Sequence, residues 1–268
     1  MHITVLGPLT AVAGQHTAAP SATKPKRILA LLALRANTVV STARLIDELW
    51  GARPPASAVV TLQTYVLRLR RLLTPLLDIP VRSVLTTESG GYALRLCPQQ
   101  LDLTVFRQHA ADGADALAAG DPERAATLLR DALSLWRGPA LADVRPGRLL
   151  DVHVTRLEQE RLSALEQRIE ADLRLGRHLS VLGELAELSQ EHPLHENLHA
   201  LYMVALHRAG RRYQALKVFQ QLRRSLADEL GLSPTGWVER VHQAVLCSDE
   251  LRCLDELGLP GQVTGTRP

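Results

Sequence analysis

The chain is predicted to be mainly α with a small β part, in which an α+β front of 97 residues precedes an all-α domain. Three observations carry this. Short strands, three helices and a hairpin succeed one another within residues 1–97. After Pro98 the texture changes to Ala, Leu, Glu and Arg at helical period. Glycines then recur where helices end, and two of them lie 34 residues apart, at Gly176 and Gly210.

In the front, Met1–Val12 alternates loosely between apolar and polar residues and is broken by Gly7-Pro8, which predicts a short strand and a turn. Residues 13–25 are rich in Ala, Thr, Ser and Pro and read as a loop or a second weak strand. Ile28–Arg35 is a first helix. Ser41 is placed to cap a second, Thr42–Trp50, which Gly51 and Pro54-Pro55 stop. Ala56–Leu77 is the third. Leu62, Val66, Leu69 and Leu73 form one apolar stripe on it, while Thr64, Arg68 and Arg71 fall on the far side together with Val60 and Leu67. Val81–Leu96 holds two strands around a Gly-Gly turn near Ser89-Gly90-Gly91-Tyr92. Strands, three helices and a hairpin in this order make a winged helix-turn-helix.

The second domain, 98–247, is expected to hold helices near 103–119, 122–136, 147–175, 178–191, 195–208, 212–230 and 235–247. Ala119-Gly120-Asp121, Leu175-Gly176-Arg177 and Ala209-Gly210-Arg211 each put Gly where a helix ends on a left-handed residue. The 34-residue step from Gly176 to Gly210 is the tetratricopeptide period, whereas the 56 residues from Gly120 to Gly176 are not, so the repeat is irregular. Residues 248–268 read as a disordered tail.

Charge is uneven. Residues 1–97 carry eleven Lys and Arg against four Asp and Glu, and the remainder carries twenty against twenty-four. A basic front on an acidic back points to a polyanionic partner for the front, with an Arg-rich solvated surface as the plain alternative. Cys97, Cys247 and Cys253 make neither a disulfide framework nor a zinc spacing. The apolar run Ile28–Leu34 lies too deep for a signal sequence and is too short for a bilayer, which needs roughly 20 apolar residues. A cytoplasmic protein without a membrane partner is expected, nucleoid-associated when bound to DNA.

The third helix carries the sharpest chemistry. An α-helix fits the major groove, and Arg pairs with guanine O6 and N7 in two hydrogen bonds. Arg68 and Arg71 are placed to reach bases, with Thr64 one turn earlier, and the outward Leu67 can meet a thymine methyl. Arg70, at the flank, suits a phosphate. In the hairpin Thr86, Thr87, Ser89 and the N–H groups of Gly90 and Gly91 can donate to phosphates. Lys24, Lys26 and Arg27 precede the first helix, whose N-terminus can also meet a phosphate.

The competing motif is His195-Glu196-Asn197-Leu198-His199, an H-E-x-x-H zinc-peptidase pattern. Its extension fails, because Tyr202 and Ala205 stand where Gly and a third His belong, leaving only a distant ligand such as Glu229. The same stretch reads as the start of a helix that packs through Leu198, Leu201, Val204 and Ala205. A repeat-type adaptor that binds only protein is a further alternative. No phosphate-binding glycine loop, dinucleotide fingerprint, C-x-x-C or G-x-S-x-G is present, so no cofactor, metal or catalytic residue is expected. Trp136-Arg137-Gly138-Pro139 reads as a helix end with a core anchor.

Taken together, these residues resemble the Streptomyces antibiotic regulatory proteins. The front is similar to the OmpR-type winged helix through Leu45-Ile46-Asp47-Glu48-Leu49-Trp50, Pro54-Pro55, Leu62-Gln63-Thr64-Tyr65-Val66, Arg68-Leu69-Arg70-Arg71 and Gly91-Tyr92. The back resembles the bacterial transcriptional activator domain through Asp102-Leu103 with Phe106, Ala132-Leu133 with Leu135-Trp136-Arg137-Gly138, Pro193-Leu194-His195-Glu196, Ala205-Leu206, Gly210-Arg211, Ala215-Leu216 and Leu226–Gly231 before Pro234. The resemblance implies an activator of a secondary-metabolite gene cluster. It would bind direct repeats in promoter DNA head to tail, as a homodimer or a pair, and recruit RNA polymerase holoenzyme. It also implies that Thr64, Arg68 and Arg71 lie at the bases while Arg70, Lys26 and the wing hold the backbone, with Gln63, Leu67, Arg27, Thr87 and Ser89 completing the DNA-binding residues. Leu67 departs from the small polar residue expected there. Larger relatives carry an ATPase or phosphopeptide module, so this chain resembles a short, stand-alone member.

Overall fold

A computed structural model of the protein describes residues 1–247; the tail expected at 248–268, with Cys253, lies outside the described residues. The chain forms two compact units, one of residues 1–111 with 130–163 and one of residues 112–129 with those from 164 on.

In the first unit β1 (His2–Thr4), β2 (Thr10–Ala13) and β3 (His16–Ala18) form an antiparallel meander in that order. Next comes α1 (Thr23–Leu34). It begins earlier than the apolar run alone indicates, because Pro25 sits in its first turn, where a missing N–H costs nothing. α2 (Thr42–Trp50) has the expected bounds: the Ser41 hydroxyl accepts from Arg44 N at 3.3 Å, and Gly51 at φ 59° ends it. α3 (Ala58–Leu73) buries Ala58, Leu62, Val66, Leu69 and Leu73, the stripe read from the sequence, and passes into a 3₁₀ turn at Thr74–Leu76.

The hairpin differs in detail. Residues 81–84, expected as strand, are a short helix α4 (Val81–Val84), with Ser83 Oγ donating to Pro80 O at 2.6 Å. A two-residue strand, β4 (Val40–Ser41), precedes α2 in the chain and belongs to the sheet of the hairpin. β5 (Leu85–Glu88) and β6 (Gly91–Leu94) pair antiparallel across Ser89-Gly90, with Gly90 at φ 80°. The strand order is β4-β6-β5. Gly91 belongs to β6 rather than to the turn, and a Cβ there would stand 2.3 Å from Val40 O, so the close approach of β4 requires glycine.

The first compact unit includes residues beyond Pro98. α5 (Asp102–Ala118), α6 (Pro122–Ser134) and α7 (Arg148–Arg174) each contribute residues to both units. Within the first unit three carboxylates tie the winged part to residues 102–150. Asp102 accepts from the N–H groups of Val5 (2.9 Å) and Leu6 (3.1 Å) and from Arg137 Nη2 (2.7 Å). Asp143 accepts from Leu9 N at 2.8 Å and Lys26 Nζ at 2.7 Å. Glu48 of α2, only 2 % exposed, accepts from Gly147 N (2.6 Å), Leu149 N (2.9 Å) and Leu150 N (3.1 Å), the free donors at the start of α7. Trp136 is buried against Phe106, ring centroids 5.5 Å apart, the anchor expected of it.

The second unit is helical and matches the sequence reading closely: α8 (His178–Glu191), α9 (Glu196–Arg208), α10 (Arg212–Leu230) and α11 (Gly236–Cys247). Val181, Leu185, Leu201, Val204, Phe219, Leu222, Trp237 and Val241 share its core. Gly176 and Gly210, at φ 73° and 72°, end their helices in the left-handed conformation, which opens each helix pair of the tetratricopeptide-like repeat. Among the described residues no helix is long and apolar enough to cross a membrane.

Candidate nucleic-acid interface

Because the leucines and valine of the α3 stripe face inward, the opposite face of the helix must point to solvent. Gln63, Thr64, Leu67, Arg68 and Arg71 are all exposed there. Among the described residues neither Arg68 nor Arg71 has a carboxylate partner; Arg68 lies over its own neighbour, with its guanidinium carbon 6.0 Å from the Tyr65 ring centroid. Two cations thus stand on a helix whose apolar anchor is fixed and whose charge is unspent. Thr64 Oγ1 donates to Val60 O at 3.0 Å, which leaves its oxygen as an acceptor.

The other expected backbone ligands require correction. Arg70 does not project from the flank. Its Nε and Nη2 donate to Leu85 O at 3.1 and 2.8 Å, and Nη2 also donates to Thr87 Oγ1 at 2.8 Å. Burial, and repulsion from Arg82, push its pKa below the ordinary arginine value. The planar fork makes these bonds possible, so Arg70 staples β5 to α3. Lys26 lies inside α1 and is paired with Asp143 at 2.7 Å, its side chain 15 % exposed. Arg27 Nε donates to Arg145 O at 2.5 Å, and Nη1 to Glu48 O at 3.4 Å. Both are committed to the first unit's own contacts. Lys24 Nζ stands 4.7 Å over the Trp50 ring.

On the wing, Ser89 and Gly90 are exposed, as is Thr87 despite accepting from Arg70. Gly91 is buried in β6 and offers no surface N–H. Thr86 donates to Glu88 Oε1 at 3.0 Å, and Arg95 pairs with the same oxygen at 2.9 Å. The hydrogen bonds from Arg95 and Thr86 hold Glu88 below the usual carboxylate value, so this one acid beside the turn is neutralised locally. Three cations were not singled out by sequence reasoning: Arg44 on α2, Arg53 in the loop after it, and Arg82 on α4. Each is exposed, without a side-chain hydrogen bond or ion pair among the described residues. Only their contribution to the basic surplus signalled them, since no motif contains them.

The H-E-x-x-H stretch is spent on structure. His195 is the residue before α9, and its Nε2 lies 3.1 Å from Glu166 Oε1. The His199 ring, 3 % exposed, has Nδ1 3.1 Å from His195 O, and burial lowers its pKa. Glu196 accepts from Thr235 N at 2.5 Å. Among the described residues no three His, Cys, Asp or Glu converge as metal ligands.

Comparison with known proteins is consistent with this geometry. The family described as "Bacterial transcriptional activator domain" matches residues 101–246, and "Transcriptional regulatory protein, C terminal" matches residues 18–94. The chain is similar to the regulatory protein DnrI of Streptomyces peucetius, 46% identical over 93% of both chains. It is similar to the transcriptional regulator RedD of Streptomyces coelicolor, 37% identical over 93% of this chain and 71% of that one. The regulatory protein AfsR of Streptomyces griseus is 41% identical over 93% of this chain, which spans only 25% of that protein. Among solved structures, Mycobacterium tuberculosis EmbR in complex with a low-affinity phosphopeptide superposes with a TM-score of 0.88 and 31% identity over 92% of this chain and 65% of that chain. RedD is named a transcriptional regulator, and DnrI and AfsR are named regulatory proteins. With an OmpR-type winged helix joined to the activator domain, and near-full-length identity to such regulators, the chain belongs to the Streptomyces antibiotic regulatory protein family of DNA-binding transcriptional activators.

Proposed function

We propose that this activator binds direct repeats in the promoters of a secondary-metabolite gene cluster and recruits RNA polymerase holoenzyme to them. Two copies bind head to tail, and the protein works in the cytoplasm at the nucleoid. The exposed face of α3 enters the major groove. Arg68 and Arg71 read guanine edges, while Gln63 and Thr64 contact neighbouring positions. Arg44, Arg53, Arg82, Ser89 and Thr87 hold phosphates, and the helical second unit offers the surface for the polymerase or the second subunit.

The observation that carries this reading is the pair of exposed, carboxylate-free guanidinium groups on a helix whose other face is locked in the core. Footprinting on promoters of the neighbouring cluster tests it. Protection of two direct repeats is expected, with Arg68→Ala losing discrimination among sequences while retaining nonspecific binding. A protein that leaves every promoter unprotected and binds only protein partners is an adaptor, and the reading fails.

A further inference from the structure

The outward face of α3 is not uniformly polar. Val60 is 65 % exposed and Leu67 46 %; Val59, 48 % exposed, lies about 100° round the helix from Val60, off the outward line. Each alone would be unremarkable, since single apolar residues are common on surfaces. Their placement is not. With 3.6 residues per turn, Val60, Thr64, Leu67 and Arg71 fall within a sector of about 60° centred opposite the buried stripe. The most outward line of the helix therefore reads apolar, hydroxyl, apolar, cation along its length. Arg68 adjoins that line, and no acidic residue occurs anywhere in α3. A protein-docking stripe would continue its apolar character. This one is interrupted by a hydroxyl and accompanied by two guanidinium groups, which suits a surface that is mostly polar and anionic with isolated apolar points. The major groove has one such point, the thymine C5-methyl.

We propose that Val60 and Leu67 are specificity residues that read two thymine methyl groups in each half-site. This rests on α3 lying in the major groove. The two positions are seven residues apart, a rise of about 10 Å along the helix. At a base spacing of about 3.4 Å, that reach corresponds to methyl groups about three base pairs apart. Thr64 lies between them at the intervening bases. The sequence preference therefore combines guanine, read by Arg68 and Arg71, with thymine read by shape rather than by hydrogen bonds.

The test is binding of the full chain to a footprinted promoter duplex in which each thymine in turn is replaced by deoxyuridine, which removes only the methyl. Two positions per half-site, about three base pairs apart, are expected to weaken binding about fourfold each, the effect of returning one methyl-sized group to water. Leu67→Ala should abolish the sensitivity at one position and Val60→Ala at the other, with guanine discrimination intact in both. Both substitutions are at exposed helical sites and raise helix propensity, so folding is preserved. Uniform affinity across all deoxyuridine probes overturns the proposal, as does a methyl effect that survives in both variants. If instead the unsubstituted duplex is not bound, or Arg71→Ala binds it like the parent, the major-groove placement itself has failed.

Discussion

Glu48→Ala should cost more stability than an ordinary surface change, because Glu48 is a buried carboxylate. The carboxylate is 2 % exposed and accepts from three backbone N–H groups, those of Gly147, Leu149 and Leu150, within 3.1 Å. These are among the orphan donors of a 27-residue helix, so Glu48 acts as a cap supplied from another element. Loss of one cap costs about 1–2 kcal/mol, and each further buried donor left without a partner costs about 1 kcal/mol, giving about 3–4 kcal/mol in all. Glu48→Gln keeps one accepting oxygen but turns an amide NH2 toward a donor, and should lose about half as much. Gly147→Ala should also destabilise, because its Cβ would stand 2.3 Å from Glu48 O, a backbone atom that has no rotamer to escape into. Urea unfolding monitored by the fluorescence of Trp50 and Trp136 measures all three. A Glu48→Ala protein within about 0.5 kcal/mol of the parent, the scale of an ordinary surface change, would refute the reasoning.

Three further outcomes are expected. Arg70→Ala should weaken specific DNA binding while leaving the slope of log affinity against log salt unchanged, whereas Arg82→Ala should reduce that slope by about 1. Arg70→Lys, lacking the fork that spans Leu85 O and Thr87, should not rescue, and a reduced slope in Arg70→Ala would restore it as a phosphate ligand. A fragment ending at residue 97 should unfold at lower urea than the first unit of the full chain, because Lys26, Glu48 and the Val5 and Leu6 N–H groups lose their partners; equal midpoints would show that these contacts do not stabilise the winged part. His153, His199 and His242 all have pKa values lowered, chiefly by burial, so the unfolded chain binds more protons below the ordinary histidine range. Stability should therefore be full above about pH 6.5 and fall as the solution is acidified below it, and a flat urea midpoint between about pH 7 and 5.5 would contradict this.

The helices were legible because their signals are local. Leu62, Val66, Leu69 and Leu73 recur at helical period, Ser41 caps α2, and Gly176 and Gly210 end helices, and each of these acts within a few residues of where it is written. Thr64, Leu67, Arg68 and Arg71 were legible as an exposed face for the same reason. What the sequence concealed depends on distant partners. Nothing near Lys26 announces Asp143, nor does anything near Glu48 announce the start of α7. Arg70 and Arg71 are adjacent and chemically identical, yet only Arg70 meets β5, because one step along a helix turns a side chain by about 100°. The two-residue β4 is too short for periodicity to reveal; its trace in the sequence is Gly91, which must lack a side chain beneath Val40.

The central claim is that the outward face of α3 lies in the major groove with its guanidinium groups on guanines. Methylation interference at guanine N7 on the footprinted promoter tests this most directly, because N7 faces only the major groove. Interference is predicted at guanines in each repeat for the parent and at fewer of them in Arg68→Ala and Arg71→Ala. Binding that tolerates methylation at every guanine, with the same pattern in both variants, would contradict the account.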